Sequence, residues 1–149
     1  MISKILVPID GSKTAQKAAM YAVDLAKQLK ATLIVLSVID KRSFMGQLVP
    51  AVKTSKYVLE PIVDYLKEAA EKYTGEIMKL CGKNGVRSKT VITEGHPVEA
   101  IVKEAEKAKV NLIIMGSHGK SALKAAVLGS VAYGVVHKDA KIPVLLVRR

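Results

Sequence analysis

Disulfide chemistry is excluded at the outset, because the 149-residue chain has a single cysteine, Cys81. It supports neither an intramolecular bridge nor a cysteine-based zinc site. Tryptophan is absent, phenylalanine occurs once, and aromatics make up only 4% of the residues. That scarcity disfavours a single-strand nucleic-acid surface built on stacked bases. No uncharged apolar run approaches the roughly 18 residues needed to span a bilayer. Met1-Ile2-Ser3-Lys4-Ile5 leads straight into a strand-like segment instead of a signal peptide, so a reducing, cytoplasmic setting is expected. Acidic residues are missing from Lys107 through Lys138. Asn and Gln are sparse, while Lys and Glu are plentiful, a balance weakly suggestive of heat adaptation.

What is present reads as one soluble domain covering 1–149. Half of the residues are hydrophobic and 25% are charged, an ordinary globular balance. Lys and Arg total 24 against 13 acids, for a net charge of +11. Such a surplus favours anionic ligands. The basic residues are dispersed without a block of five or six, which reads as a solvated surface and makes nucleic acid an improbable partner.

Ile2–Ile9 predicts a strand ending at Asp10-Gly11-Ser12. A helix capped by Ser12 follows, with Ala15, Ala18, Ala19, Ala22, Val23, Leu25, Ala26 and Leu29 on one face. Ala31–Val38 predicts the second strand. After an irregular stretch from Ile39 to about Lys56, a long helix runs from Leu59 to about Leu80, with Pro61 in its first turn and Gly82 and Gly85 beyond its end. Val86–Thr93 predicts a third strand, Pro97–Lys109 a helix, Val110–Met115 a fourth strand, Ser130–Lys138 a helix and Pro143–Val147 a fifth strand. This alternation predicts an α/β, doubly wound, parallel sheet with helices on both faces. In the order 3-2-1-4-5, the winding reverses between strands 1 and 4, where ligands sit at the carboxyl ends. Asp10 and Gly116 fall there.

Gly116-Ser117-His118-Gly119-Lys120-Ser121 follows the fourth strand, and nine residues separate Gly119 from Gly129-Ser130. Glycines let backbone N–H groups approach phosphate oxygens closely and also permit positive φ. A helix starting at Ser130 offers free N–H groups and a favourable dipole to an anion. On spacing alone, the same glycines serve equally well as a turn, with Ser130 a plain cap. A P-loop is excluded because position 114 is Ile. The dinucleotide fingerprint is missing after the first strand.

The pattern Gly116-x2-Gly119-x9-Gly129-Ser130 resembles the nucleotide signature of the universal stress protein family, in its ATP-binding branch. Ile5 to Ser12 and Pro143 to Val147 resemble that family's first and last strands, and only Ile39 to about Lys56 is unmatched. The resemblance implies an adenine nucleotide alpha hydrolase-like fold that binds ATP. Asp10, with Pro8 and Ile9 beside it, matches the acid at the ribose or adenine edge, and Val38 the residue flanking adenine. Met115, Gly116, Ser117, His118, Gly119, Lys120 and Ser121 match the phosphate-wrapping segments, as do Gly129, Ser130, Val131 and Ala132. Mg²⁺ or Mn²⁺ would enter mainly with the phosphates. Ala122 and Ala125-Ala126 are blander than many relatives. The family also pairs through its last strand as a homodimer, a use that suits an apolar edge in need of cover.

The remaining candidates read as structure. Asp10 also suits a turn before Gly11. His118 stands between an exposed loop residue and a phosphate contact. His96 precedes a helix-opening Pro, and His137 sits at a helix C-terminus where a cation is favoured. Cys81 reads as a packed thiol, and Tyr57, Tyr65 and Tyr73 as packing on one helical face. No residue is expected to orient water for ATP hydrolysis, so no catalytic group is assigned. The expected role is a nucleotide-dependent sensor in stress response. A slow or partner-dependent ATPase, a sensor of AMP or a cyclic adenine nucleotide, and a basic nucleic-acid-binding protein are the alternatives.

Overall fold

The computed structural model describes residues 1–42, 56–119, 128–138 and 141–149. Their elements are β1 (Lys4–Pro8), α1 (Lys13–Leu29), β2 (Thr32–Ile39), α2 (Lys56–Lys83), β3 (Ser88–Glu94), α3 (Pro97–Lys107), β4 (Leu112–Gly116), α4 (Ser130–His137) and β5 (Val144–Val147). The five strands form one parallel sheet in the order β3-β2-β1-β4-β5, the winding expected from the alternation of elements. Among the described residues, no helix is long and apolar enough to cross a membrane.

β1, β2, β4 and β5 are largely apolar runs because both sheet faces are covered there, whereas the edge strand β3 carries polar residues and is partly exposed. Ile5, Val7, Leu33, Val35, Leu112 and Ile114 pack against α1 and α2, whose contributions include Ala18, Ala22, Val23, Ile77 and Cys81. The alternate residues Leu6, Ile34, Leu36, Ile113 and Met115 pack against α3 and α4 through Ile101, Ala105, Ala132 and Val135. Each fully buried Leu or Ile contributes roughly 1.5–3 kcal/mol. The alanines of α1 bring that helix close to the sheet, and Ser12 Oγ accepts the Ala15 N–H at 3.1 Å as the expected N-cap. Leu29 is the exception on the predicted face: at the last residue of α1, it is 41% exposed.

Three helices end in one turn. The N–H of Ala31 donates to Ala26 O, that of Val86 to Cys81 O and that of Val110 to Ala105 O. This is the bond of a Schellman turn, which requires a left-handed residue one position earlier. Those residues are Lys30 (φ 55), Gly85 (φ 67) and Lys109 (φ 54). Glycine thus occupies one of the three positions, and lysine holds a conformation costing roughly 1–2 kcal/mol at the other two.

Two expectations for α2 are corrected. The helix starts three residues before Leu59, so Pro61 lies inside it, and Gly82 belongs to its last turn. The tyrosines do not share a packed face: Tyr57 is 93% and Tyr65 68% exposed, whereas Tyr73 is half-buried. Eight residues rotate a helix by about 80° beyond two full turns, which carries successive tyrosines around the cylinder. The Tyr73 hydroxyl meets Ser37 Oγ at 2.8 Å, and burial raises its pKa. Cys81 is fully buried, as expected for a packed thiol, and burial raises its pKa as well.

Candidate functional site

The carboxyl ends of β1 and β4 lie side by side, and the loops beyond them converge. After β1, the Ile9 N–H donates to Leu36 O at 2.8 Å, holding the chain against β2. Asp10 Oδ1 then accepts the Ser12 N–H at 2.9 Å, making the turn into α1. The Asp-Gly turn reading therefore holds for one carboxylate oxygen. The other faces the glycine loop: a Cβ on Gly119 would lie 2.7 Å from Asp10 Oδ2.

The glycines of this loop are required by close approach rather than by unusual φ. Gly11, Gly85 and Gly95 are the described glycines with positive φ, and Gly116, Gly119 and Gly129 are not among them. A Cβ on Gly116 would meet Thr14 Cγ2 at 2.8 Å, so this glycine seats the end of β4 against the first turn of α1. A Cβ on Gly129 would meet His118 Cα at 3.0 Å and Ser117 O at 3.2 Å. The Gly129 N–H donates to Ser117 O at 2.7 Å, stapling the start of α4 to the loop after β4. Gly116, Gly119 and Gly129 thus allow three backbone segments to close on one another.

Gly129, not Ser130, is the N-cap of α4, and it supplies no side-chain cap. Ser130 is the first helical residue and is exposed, Val131 is half-buried, and Ala132 is in the core. His118 is buried rather than exposed in the loop. Its Nδ1 lies 2.8 Å from Ser117 Oγ, and its Nε2 lies 3.5 Å from Arg149 Nη2.

Pro8, Ile9, Asp10, Met115, Gly116, Ser117, His118, Gly119, Gly129, Ser130, Val131 and Ala132 all belong to this end of β1, β4 and α4. Val38 lies one residue before the end of the adjacent β2, paired with Thr93 of β3. The Met115 side chain is spent in the core. Lys120 and Ser121 lie outside the described residues. Sequence reasoning missed Thr14 and Arg149. The register of β5 against β4 pairs Gly116 with Val147, so the chain after β5 runs alongside Ser117 and His118. A long-range pairing of that kind leaves no local signal.

The remaining histidines have structural surroundings. His96 is the exposed N-cap residue of α3 without a side-chain cap bond. His137 stacks on Tyr133 with ring centroids 4.0 Å apart, its Nδ1 lying 2.9 Å from Tyr133 O. Among the described residues, no three His, Cys, Asp or Glu side chains group as metal ligands. A cavity of about 330 Å³ flanks the site between α1 and α2, lined by Ile9, Gly11, Gln16, Met20, Tyr73 and Glu76 among others.

Comparison with known proteins agrees with this arrangement. The universal stress protein family model matches residues 1–148. Universal stress protein MJ0531 of Methanocaldococcus jannaschii is 37% identical, covering 100% of this chain and 84% of its own. Universal stress protein MJ0577 of the same organism is 41% identical over 100% of this chain and 96% of its own. The solved structure of MJ0577 superposes with a TM-score of 0.85 at 37% identity, over 100% of this chain and 97% of that one. Two more distant structures share the fold: a universal stress protein in complex with cAMP, at 24% identity and TM-score 0.65, covering 99% of this chain and 97% of that one, and an AMP-bound family protein from Arabidopsis thaliana, at 16% identity and TM-score 0.69, covering 99% and 92%. With the sheet order, the glycine-closed loop and a full-length match in agreement, the chain belongs to the universal stress protein family.

Proposed function

We propose that the protein binds ATP at the carboxyl ends of β1 and β4 and acts as a nucleotide-dependent switch in stress response. The observation carrying this reading is the closure of Gly116, Gly119 and Gly129 around one another beside Asp10. Backbone N–H groups in such a closed loop, with the uncapped start of α4, suit a phosphate chain. Asp10, with one carboxylate oxygen facing Gly119, suits ribose or the adenine edge, and the main chain at Val38 suits adenine. Arg149, held beside His118, adds a fixed cation at the phosphate end. Bound AMP and cAMP in structural neighbours support an adenine nucleotide as the ligand class.

Mg²⁺ or Mn²⁺ would accompany the phosphates, whose oxygens are the hard donors it requires. The three glycines let the segments after β1, after β4 and before α4 pack closely, and backbone N–H groups gathered in this way suit phosphate oxygens. Asp10 is the one acid of this loop cluster, and its Oδ1 is engaged by Ser12. The expected behaviour is retention of ATP with little hydrolysis. The exposed edge of β5 serves as the homodimer contact in this reading.

Protein purified without added nucleotide is denatured and the released small molecules are identified by mass spectrometry, followed by calorimetric titration of the emptied protein. The reading expects ATP near one equivalent per chain and micromolar or tighter rebinding. Failure of added ATP to bind the emptied protein overturns it. Binding of AMP or a cyclic nucleotide at least tenfold tighter than ATP would assign the site to that ligand instead.

A further inference from the structure

The basic residues look dispersed in the sequence, but a parallel sheet gathers them. Every strand is entered from the same end of the molecule, and the described helices finish there. Lys4 opens β1, while Lys30, Arg87, Lys109 and Lys141 stand just before β2, β3, β4 and β5, and all are exposed. The last turns of α1, α2 and α3 add Lys27, Lys83 and Lys107. These eight cations share the end opposite the glycine loop.

Helix C-termini favour cations in any protein, so placement alone does not assign a partner. Two further observations do. First, Lys30 and Lys109 hold left-handed backbone conformations that the equivalent Gly85 holds without strain. Strained backbone residues cluster at functional positions, which points to the two lysine side chains as the reason the conformation is kept. Second, the ion pairs formed among the described residues, Lys41–Glu94, Arg42–Asp40 and Lys67–Glu94, lie at the other end. At the basic end, Lys4 Nζ donates to Ala108 O and Lys27 Nζ to Asn84 Oδ1, both neutral oxygens. The positive charge there is left available to an external anion, although Glu106 lines a depression of about 460 Å³ together with Lys109 and Lys141.

We propose that this end of the molecule is a docking surface for the phosphate backbone of double-stranded DNA, bound without sequence preference. Four strand spacings of about 4.8 Å give the sheet a width of about 19 Å. A duplex carries about 11 phosphate charges over that length, so the eight cations meet a partner of comparable charge density. Stacked single-stranded bases are a poor fit, because none of the tyrosines precedes a strand at this end. Nor does a helix project from it to read a groove, since the described helices end in turns flush with the sheet. An anionic bilayer is less well matched: the exposed large apolar side chains at this end, Met1, Leu29 and Val136, stand on separate segments, and surface binding draws on apolar insertion as well as charge. The surface is independent of the nucleotide site, and either proposal can fail without the other.

The test is fluorescence anisotropy of the full chain with a 20-base-pair DNA duplex between 25 and 200 mM salt. Engagement of five to eight cations predicts a slope of log affinity against log salt between about −4.5 and −7. Lys30→Gly with Lys109→Gly removes two charges where glycine suits the backbone, so the fold is kept. This pair should make the slope shallower by about 1.8 and weaken binding at 0.1 M salt at least tenfold, while Lys13→Gln changes neither. The proposal is overturned by absence of duplex binding at 25 mM salt, or by an unchanged slope in the glycine pair. An RNA duplex binding more than tenfold tighter would overturn it too, as would capture by phosphatidylserine vesicles without capture by DNA.

Discussion

At the scale of single residues, Asp10 and Gly119 separate the packing of the site from its chemistry. One Asp10 oxygen is tied to Ser12, so the carboxylate cannot swing aside when a Cβ at position 119 arrives 2.7 Å from Oδ2. Gly119→Ala should therefore cost about 1–3 kcal/mol, lowering the melting temperature by about 2–4 °C for each kcal/mol. Adding Asp10→Ala should recover most of the packing loss without recovering nucleotide affinity, and a double-mutant cycle run on both melting and ATP titration reads the two roles apart. In the proposed site, Arg149 would act on the phosphate half of the ligand. A charge-assisted hydrogen bond is worth about 1.5–3 kcal/mol, so Arg149→Gln should weaken ATP about 10- to 150-fold and leave adenosine unchanged. Equal losses for both ligands would assign Arg149 to structure alone.

Among the elements, the helix ends explain which boundaries were legible. The predicted starts at Ala31, Val86 and Val110 precede the observed strands because these residues are the apolar members of Schellman turns, buried by the helix they follow. Local pattern cannot distinguish such a residue from the first of a strand. The sheet order, the N-cap at Ser12 and the convergence of the loops after β1 and β4 were legible, since each follows from periodicity and handedness. Thr14 and Arg149 were not, and neither was Gly134, because each acts through a partner far away in the chain. A Cβ on Gly134 would lie 2.5 Å from Val98 Cγ2, so this glycine lets α4 settle on α3. Gly134→Ala should destabilise the fold by about 1–3 kcal/mol, with Val98→Ala partly rescuing it in urea melts. A weaker tie joins β3 to α2, where Glu94 meets Lys41 at 3.0 Å and Lys67 at 3.5 Å. The hydrogen bond from Lys41 is the main reason the Glu94 carboxyl sits below its ordinary 4.5. Its stabilisation is complete above pH 4.5 and lost as pH falls through the lower native value. This pair is largely exposed, so Glu94→Gln should remove only a few tenths of a kcal/mol at pH 7, and progressively less as pH falls through that lower native value.

For the whole molecule, the parallel sheet sorts opposite ends and places β3 and β5 at its two edges among the described residues. The proposed nucleotide site and the basic surface lie at opposite ends of the same strands, so occupancy at one does not block the other. Beyond β5 no strand follows among the described residues, and Val144, Leu145, Leu146 and Val147 are each half-buried. The carbonyls of Pro143 and Val147 face β4, accepting from Ile113 and Ser117. With the two-residue alternation of a strand, Val144 and Leu146 direct their N–H and C=O groups outward. An apolar edge with free donors is a liability unless a second strand covers it, and pairing with the same strand of another copy closes the contact with two-fold symmetry. Val144→Pro removes one outward N–H where proline is tolerated at an edge. The expected result is a shift from dimer to monomer in sedimentation velocity, with ATP affinity per chain unchanged because the loop beside Asp10 belongs to a single chain. A wild-type protein that sediments as a monomer at 100 μM, or a proline variant that remains dimeric, would place the contact elsewhere.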